Sequence, residues 1–269
     1  MLLALAAISP ADESIRVGGL IERFRNGAPL ERRNAGQELL RCGRTIWPHF
    51  RALLNEPDPD IRRRARIIWI RIVTLSGRGW AIPKPDAPYD LNTGLPTSVF
   101  CRKTGVEFVL LLPGRAVVGN KVLQLKAPLY VGKYEVTVAE YSRGHRDLYY
   151  FYRSDRARLP ATSVMREDIQ AFLRDTGHRL PTAAEWEYAC FAGGAQATPK
   201  AQKWSLHVAA KRKNGFALCD MIGNVAELCA DGRLRGGSYL DAAMSEPIGP
   251  KVSGEHIGFR VVRSPEKVP

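Results

Sequence analysis

The chain lacks the short cysteine and histidine motifs that mark structural metal sites. Its 269 residues include five cysteines, and none of them stands in a Cys-x-x-Cys or Cys-x-x-His spacing. An odd number of scattered cysteines argues against a zinc site and against a complete disulfide framework. The five histidines form no close His-x-His or His-x-x-x-His pair. We therefore expect no iron site built from histidines.

Long apolar runs are also missing, and none is long enough to span a membrane. The first residues, Met1–Ala7, are apolar, but they are few and no basic region precedes them. They predict either the remnant of a secretory signal or the first turn of a docked helix. The compartment is therefore left open between the cytoplasm and export.

Acidic residues are in short supply, with 27 Asp and Glu against 40 Lys and Arg, which gives a formal net charge of +13. Such an excess favours acidic partners, namely nucleic acid, an anionic surface or an acidic protein. The alternative is a solvated basic surface, because the charge is spread along the whole chain. A hydrophobic content of 45% is typical of a globular protein, and the length predicts two domains.

Residues 1–78 are predicted to form the first domain, an all-α segment. Apolar residues recur at helical spacing at Ile61, Ala65, Ile68 and Ile72. Asp58 and Asp60 precede that run, as the N-terminal cap and dipole partner of a helix would. Earlier helices are predicted over residues 30–40 and 45–54, with Pro48 either in the first turn or at a kink.

This alternation of helices resembles a HEAT-type repeat, although a generic helical hairpin is the alternative. One or two repeats rarely bury a core alone, so the segment is expected to pack on a second domain or to belong to a longer array. Some residues of an arginine-rich run must point to solvent, where they would contact nucleic acid or an acidic partner. This run comprises Arg62, Arg63, Arg64 and Arg66.

Residues 79–97 are rich in proline and glycine, predict no regular element and are interpreted as a linker. Short β-like runs then follow, and residues 98–269 are predicted to form the second domain. Helices are expected over residues 166–176 and 182–191. Thr182 and Glu185 have the spacing of a capping box at the start of the latter helix.

Four segments of the second domain occur in an informative order. They are Arg179-Leu-Pro-Thr-Ala-Ala-Glu-Trp-Glu-Tyr188, Asn214-Gly-Phe-Ala-Leu-Cys-Asp-Met-Ile-Gly-Asn-Val-Ala-Glu227, Leu234-Arg-Gly-Gly-Ser238 and Gly258-Phe-Arg-Val-Val262. Together with Lys133-Tyr-Glu-Val-Thr-Val138, they resemble the formylglycine-generating-enzyme, or sulfatase-modifying-factor, family over about 160 residues. The resemblance implies an α+β, C-type-lectin-like fold with little regular secondary structure.

The resemblance also implies a calcium loop. Its ligands here would be the side chains of Asp220 and Glu227 and the carbonyl groups of Gly223 and Val225. Oxygen ligands that include two carboxylates suit Ca²⁺. The family's other calcium loop falls where this chain is shortened, between residues 194 and 214, so that second site is expected to be absent.

The family's oxidation chemistry uses copper on two cysteines that follow the Arg-Gly-Gly-Ser segment, and Cu(I) prefers such soft sulfur ligands. Residues 238–249 contain no cysteine. We therefore expect neither copper nor the family's oxidase reaction, and the leading hypothesis is a non-catalytic module that binds a protein or another macromolecule.

Two alternatives remain open. One is an enzyme of the same class that uses a non-standard site in the family's cleft. Its candidate residues are Arg235, Ser238, Tyr239, Asp241, Glu246 and Arg260. The other is a basic protein that associates with nucleic acid through the arginine-rich helix.

Overall fold

The computed structural model of the chain describes residues 10–76, 80–81, 90, 93–144, 156–194, 213–240 and 254–265. These residues divide into two compact units. The first unit contains residues 10–76, 90 and 93–96, and the second contains the other described residues. Helices and short strands together confirm the predicted α+β class. The domain boundaries drawn from the sequence stay a prediction, and residues 1–7 lie outside the described part.

The first unit is built from helices around an aromatic core. The Trp47 and Trp69 rings lie 4.6 Å apart, and the Phe50 ring stacks on Trp69 at 6.0 Å. Its α-helices are α1 (Pro10–Asn26), α2 (Pro29–Cys42), α3 (Trp47–Phe50) and α4 (Pro59–Ser76), with 3₁₀ turns at Gly43–Ile46 and Arg51–Asn55. No helix of the described residues is both long and apolar enough to cross a bilayer.

Local signals predicted the start of α4 well and the segment before it less well. Asp58 Oδ1 accepts from the Asp60 N–H at 2.7 Å, so Asp58 caps α4 as expected. The single helix predicted over residues 45–54 was wrong. Pro48 lies in the first turn of the short helix α3, with 3₁₀ turns on either side. Proline has no N–H to continue a helical ladder, which confines it to a first turn.

The predicted linker contains more structure than its proline content suggested. Trp80–Ala81 form strand β1, so the expectation of no regular element was wrong there. Strand β1 lies at a sheet edge, where neighbouring prolines are tolerated. In the first unit, the Gly94 carbonyl accepts from Trp69 Nε1 at 2.7 Å. Gly94 has φ +70°, and a Cβ there would lie 2.3 Å from the Trp47 ring, so only glycine fits.

The second unit consists of short strands in three sheets. The strands after β1 are β2 (Ser98–Cys101), β3 (Glu107–Leu111), β4 (Gly114–Val118), β5 (Lys121–Leu125), β6 (Leu129–Gly132), β7 (Ala226–Leu228), β8 (Leu234–Arg235), β9 (Ile257–Phe259) and β10 (Val262–Arg263). An antiparallel sheet has the order β1-β2-β3-β6-β10, and β4 pairs with β5 as a hairpin. The third sheet has the order β8-β7-β9, in which β7 and β9 are parallel.

The described part of the second unit also contains the helices α5 (Val138–Gly144), α6 (Arg166–Thr176) and α7 (Ala183–Glu187). Helix α6 has the bounds that the sequence predicted. The helix predicted over residues 182–191 is α7 followed by a π turn at Tyr188–Ala192. The predicted capping box is confirmed, because Thr182 accepts from the Glu185 N–H and Glu185 accepts from the Thr182 N–H.

We expect Thr182→Ala to lower the free energy of unfolding of the second unit by about 1 kcal/mol, since the hydroxyl satisfies an N–H at the start of α7. Chemical unfolding of the full chain measures the change. Thr182→Ser is the matched control and should stay near wild type, because it keeps the accepting oxygen. Equal losses in both variants would show that the methyl group, and not the cap, is what matters.

Candidate functional site

Strand β7 brings together segments that are far apart in the sequence. Glu227, in the middle of β7, lies opposite Arg235 on β8 and Gly258 on β9. The backbone of Arg179 exchanges two hydrogen bonds with Val262, at 2.8 and 3.1 Å. The four segments singled out in the sequence thus meet around one strand, and Glu227 lies at their centre.

The Glu227 carboxylate is held by a buried arginine and a tryptophan. Arg260 Nη2 donates to Oε1 at 2.6 Å, Arg260 Nε donates to Oε2 at 3.0 Å, and Trp186 Nε1 donates to Oε2 at 2.7 Å. Arg260 and Glu227 are 0% and 1% exposed. Remaining donors of Arg260 reach the carbonyls of Gly132 and Cys219, both at 2.8 Å. The Arg260 guanidinium therefore bonds at once to the Gly132 carbonyl, the Cys219 carbonyl and the Glu227 carboxylate.

The loop that precedes β7 has an unusual backbone. Asp220, Gly223 and Asn224 have φ angles of 56°, 78° and 65°. This left-handed conformation is uncommon outside glycine and costs about 1–3 kcal/mol where the surrounding structure imposes it. Asp220 and Asn224 are almost fully buried. The loop is therefore held in place by its interior contacts, and it carries polar side chains into the core.

Glu135 is a buried carboxyl group that the sequence analysis did not single out. Its Oε1 accepts from Asn224 Nδ2 at 3.0 Å, and its Oε2 has no hydrogen-bond partner among the described residues. Burial raises the pKa of Glu135 well above its ordinary value, and Glu227 and Asp220 raise it further against the opposing charge of Arg260. The signal was present in Lys133-Tyr-Glu-Val-Thr-Val138, where a charged residue stands between apolar ones.

Three of the residues predicted to line a cleft are largely buried. Arg235 is 8% exposed and forms ion pairs with Asp231 at 3.5 Å and Glu187 at 3.6 Å. Ser238 is buried, and its Oγ accepts from the Leu240 N–H at 3.1 Å. Tyr239 is also largely buried, and burial raises its pKa.

Arg260 does not fit the role of a cleft residue, because it is fully buried and bound to Glu227. Asp241 and Glu246 lie outside the described residues. The proposed non-standard site therefore stays a prediction, reduced by one of its members.

Comparison with known proteins agrees with this arrangement. Residues 97–265 match the sulfatase-modifying factor enzyme 1-like domain, which is more than half of the chain. The chain belongs to the sulfatase-modifying-factor family. A formylglycine-generating enzyme of Mycobacterium tuberculosis is 30% identical over a region that covers 42% of this chain and 60% of that protein. The match thus spans less than two thirds of that relative's length.

A solved structure shows the same fold. PvdO from Pseudomonas aeruginosa superimposes with a TM-score of 0.50 at 20% identity, covering 60% of this chain and 95% of that one. Variable protein 1 of Treponema denticola gives a TM-score of 0.49 at 19% identity, covering 60% of this chain and 96% of that one. The sulfatase-modifying-factor fold expected from the sequence motifs is confirmed.

The calcium loop of the sulfatase-modifying-factor family corresponds to Asp220, Gly223, Val225 and Glu227. In the observed arrangement Glu227 does not fit a calcium ligand, because both of its oxygens already accept from Arg260 and Trp186. The described residues contain no group of three or more His, Cys, Asp or Glu side chains placed to hold a metal ion. Calcium binding stays a prediction, and it would require Glu227 to release Arg260.

Three cysteines of the second unit are protected thiols. Cys190, Cys219 and Cys229 are free and at most 1% exposed. Burial raises the pKa of Cys190 to about 12 and raises the pKa of Cys219 and Cys229 as well. A thiol in such surroundings stays protonated at neutral pH and is a poor nucleophile and a poor metal ligand.

Most of the arginine-rich run in α4 is engaged within the first unit. Arg62 Nη1 donates to the Pro57 carbonyl at 2.7 Å, and Arg63 pairs with Asp60 at 3.0 Å. Arg64 Nε pairs with Asp60 at 2.9 Å, and Arg64 Nη1 donates to the Phe24 carbonyl at 2.9 Å. Arg66 is exposed. These contacts hold the start of α4 and leave the Arg63 and Arg66 side chains exposed to solvent. Contact with nucleic acid or an acidic partner stays a prediction.

Proposed function

We propose that this chain is a non-catalytic member of the sulfatase-modifying-factor family that binds a protein or another macromolecular partner. The observation that carries the proposal is the state of its thiols. Residues 238–249 contain no cysteine, and Cys190, Cys219 and Cys229 are buried with raised pKa values. Copper chemistry of the family's kind needs thiolates at an accessible position.

The family motifs have a structural explanation in this chain. Glu227, Arg260 and Trp186 form one buried, hydrogen-bonded frame, and the Arg179 guanidinium forks onto Glu185 at 2.6 and 2.7 Å. Bidentate pairs of this kind fix geometry as well as adding energy. The presence of these residues in the chain is therefore explained by a stable scaffold and does not require the family's reaction. One fold can serve many functions.

An activity assay tests the proposal. The purified chain is incubated with a cysteine-containing sulfatase peptide, with and without added copper, and conversion of the thiol to an aldehyde is followed by mass spectrometry. We expect no conversion, whereas the formylglycine-generating enzyme of Mycobacterium tuberculosis serves as the positive control. Turnover by this chain would overturn the proposal. A redox metal found by elemental analysis would favour the alternative of an enzyme with a non-standard site.

A further inference from the structure

A groove with an apolar floor lies between α2 and α4 of the first unit. Its volume is about 640 Å³. Its apolar lining includes Phe24, Gly36, Leu40, Ile67 and Ile68. Ile67 is 49% exposed, although isoleucine is among the residues most often buried. A concave apolar surface on a helical pair is the kind of site into which a partner helix lays its apolar face.

Gly36 allows a close approach of α2 to its neighbours at the floor of the groove. A Cβ at this position would lie 3.3 Å from Ile68 Cδ1 and 3.5 Å from the Phe24 ring, closer to Ile68 than most side chains approach each other. The absence of a side chain therefore lets the backbone of α2 lie close to Ile68 and Phe24, which line the groove beside it.

The rim of the groove is positively charged. Arg32, Arg33 and Arg64 line it, together with Gln37, and none of the described residues that line it carries a carboxylate. Arg64 is fixed by Asp60 and by the Phe24 ring, whose centroid lies 5.5 Å from its guanidinium carbon. Arg32 and Arg33 have no ion-pair partner in the described residues. The neighbouring Glu31 is not among the residues that line the groove, and its Oε2 accepts from the Ala28 N–H at 2.7 Å.

We propose that this groove binds an amphipathic segment of a partner protein whose apolar face is flanked by Asp or Glu. Apolar side chains of the segment cover Leu40 and Ile67, and its carboxylates meet Arg32 and Arg33. Nucleic acid fits less well, since a phosphate backbone gains nothing from an isoleucine and leucine floor. The inference rests on the proposed binding role and assigns that role to one surface.

Selection of random displayed peptides on the full chain tests the inference. We expect the selected peptides to combine acidic residues with apolar residues at helical spacing. One selected peptide is then synthesised with a fluorescent label, and its affinity is measured by anisotropy. The charge-reversed double variant Arg32→Glu/Arg33→Glu should weaken binding by about tenfold or more, as expected when charge pairs across an interface are lost. Ile67→Ser should also weaken binding, because it removes apolar surface from the floor of the groove.

The matched control is Arg16→Glu/Arg51→Glu, which makes the same change of charge at exposed positions outside the groove. It should bind like wild type, and thermal unfolding checks that all variants are folded. A failure to enrich acidic amphipathic peptides, or equal binding by the groove variant, overturns the inference while the proposed binding role stands. Aldehyde formation in the sulfatase-peptide assay overturns that role separately. Tighter, salt-dependent binding of duplex DNA that Arg32→Glu/Arg33→Glu abolishes assigns the groove to nucleic acid and also overturns the inference.

Discussion

Replacing Arg260 with methionine should lower the free energy of unfolding of the second unit by about 3–5 kcal/mol, because it leaves a buried carboxylate without its counter-charge. Glu227 is 1% exposed and accepts three of its four hydrogen bonds from Arg260. Methionine fills similar space but supplies no donor. Urea unfolding followed by circular dichroism measures the loss, and hydrogen exchange in β7 localises it.

A double-mutant cycle separates this explanation from simple loss of packing. Glu227→Gln removes the charge but still accepts from Trp186. Combined with Arg260→Met, it leaves no unpaired buried charge, so the double variant should be more stable than the sum of the single losses predicts, by about 1–3 kcal/mol. Strict additivity would contradict the coupling that the short Arg260–Glu227 contacts indicate.

Glu135→Gln should make the stability of the second unit less dependent on pH. The pKa of Glu135 is raised in the folded state, so the folded protein keeps a proton that the unfolded chain loses as pH rises above about 4.5, the ordinary value. The contribution of Glu135 to stability is therefore fully present below that value and is lost as pH rises toward the folded pKa. The slope is up to about 1.4 kcal/mol per pH unit, which corresponds to one proton. Glutamine carries no proton to lose, so this contribution vanishes.

The measurement is a series of urea unfolding curves between acid and mildly alkaline pH. Glu255→Gln is the matched control, since it removes an exposed carboxyl group of the same unit and should keep the wild-type profile. We expect Glu135→Gln to gain stability relative to wild type as pH rises. Parallel profiles for wild type and Glu135→Gln would show that Glu135 is ionised in the folded protein.

Elements governed by neighbouring residues were predictable from the sequence. The bounds of α6 and the Thr182 capping box follow from local periodicity and from side chains three residues apart. The fold of the second unit was predictable for a different reason, because several motifs occur in the order that the family has.

The candidate site was less predictable, because its contacts are not local. Asn224 reaches Glu135 across 89 residues, and Arg260 reaches Glu227 across 33. No spacing rule connects such positions, so the contact between Arg260 and Glu227 could not be predicted from the sequence. Pro48 broke a predicted helix, and strand β1 formed within a proline-rich stretch, because pairing with β2 outweighed local propensity.

The position of Arg260 has a consequence for how the protein is made. Its Nη1 binds the carbonyl of Gly132, which lies 128 residues earlier, and β10 completes the sheet beside β6. A nascent chain therefore cannot close the core of the second unit until synthesis has passed Arg263. Structures with long-range pairing fold slowly and expose their strand edges meanwhile, which makes an incomplete second unit prone to aggregation during that interval.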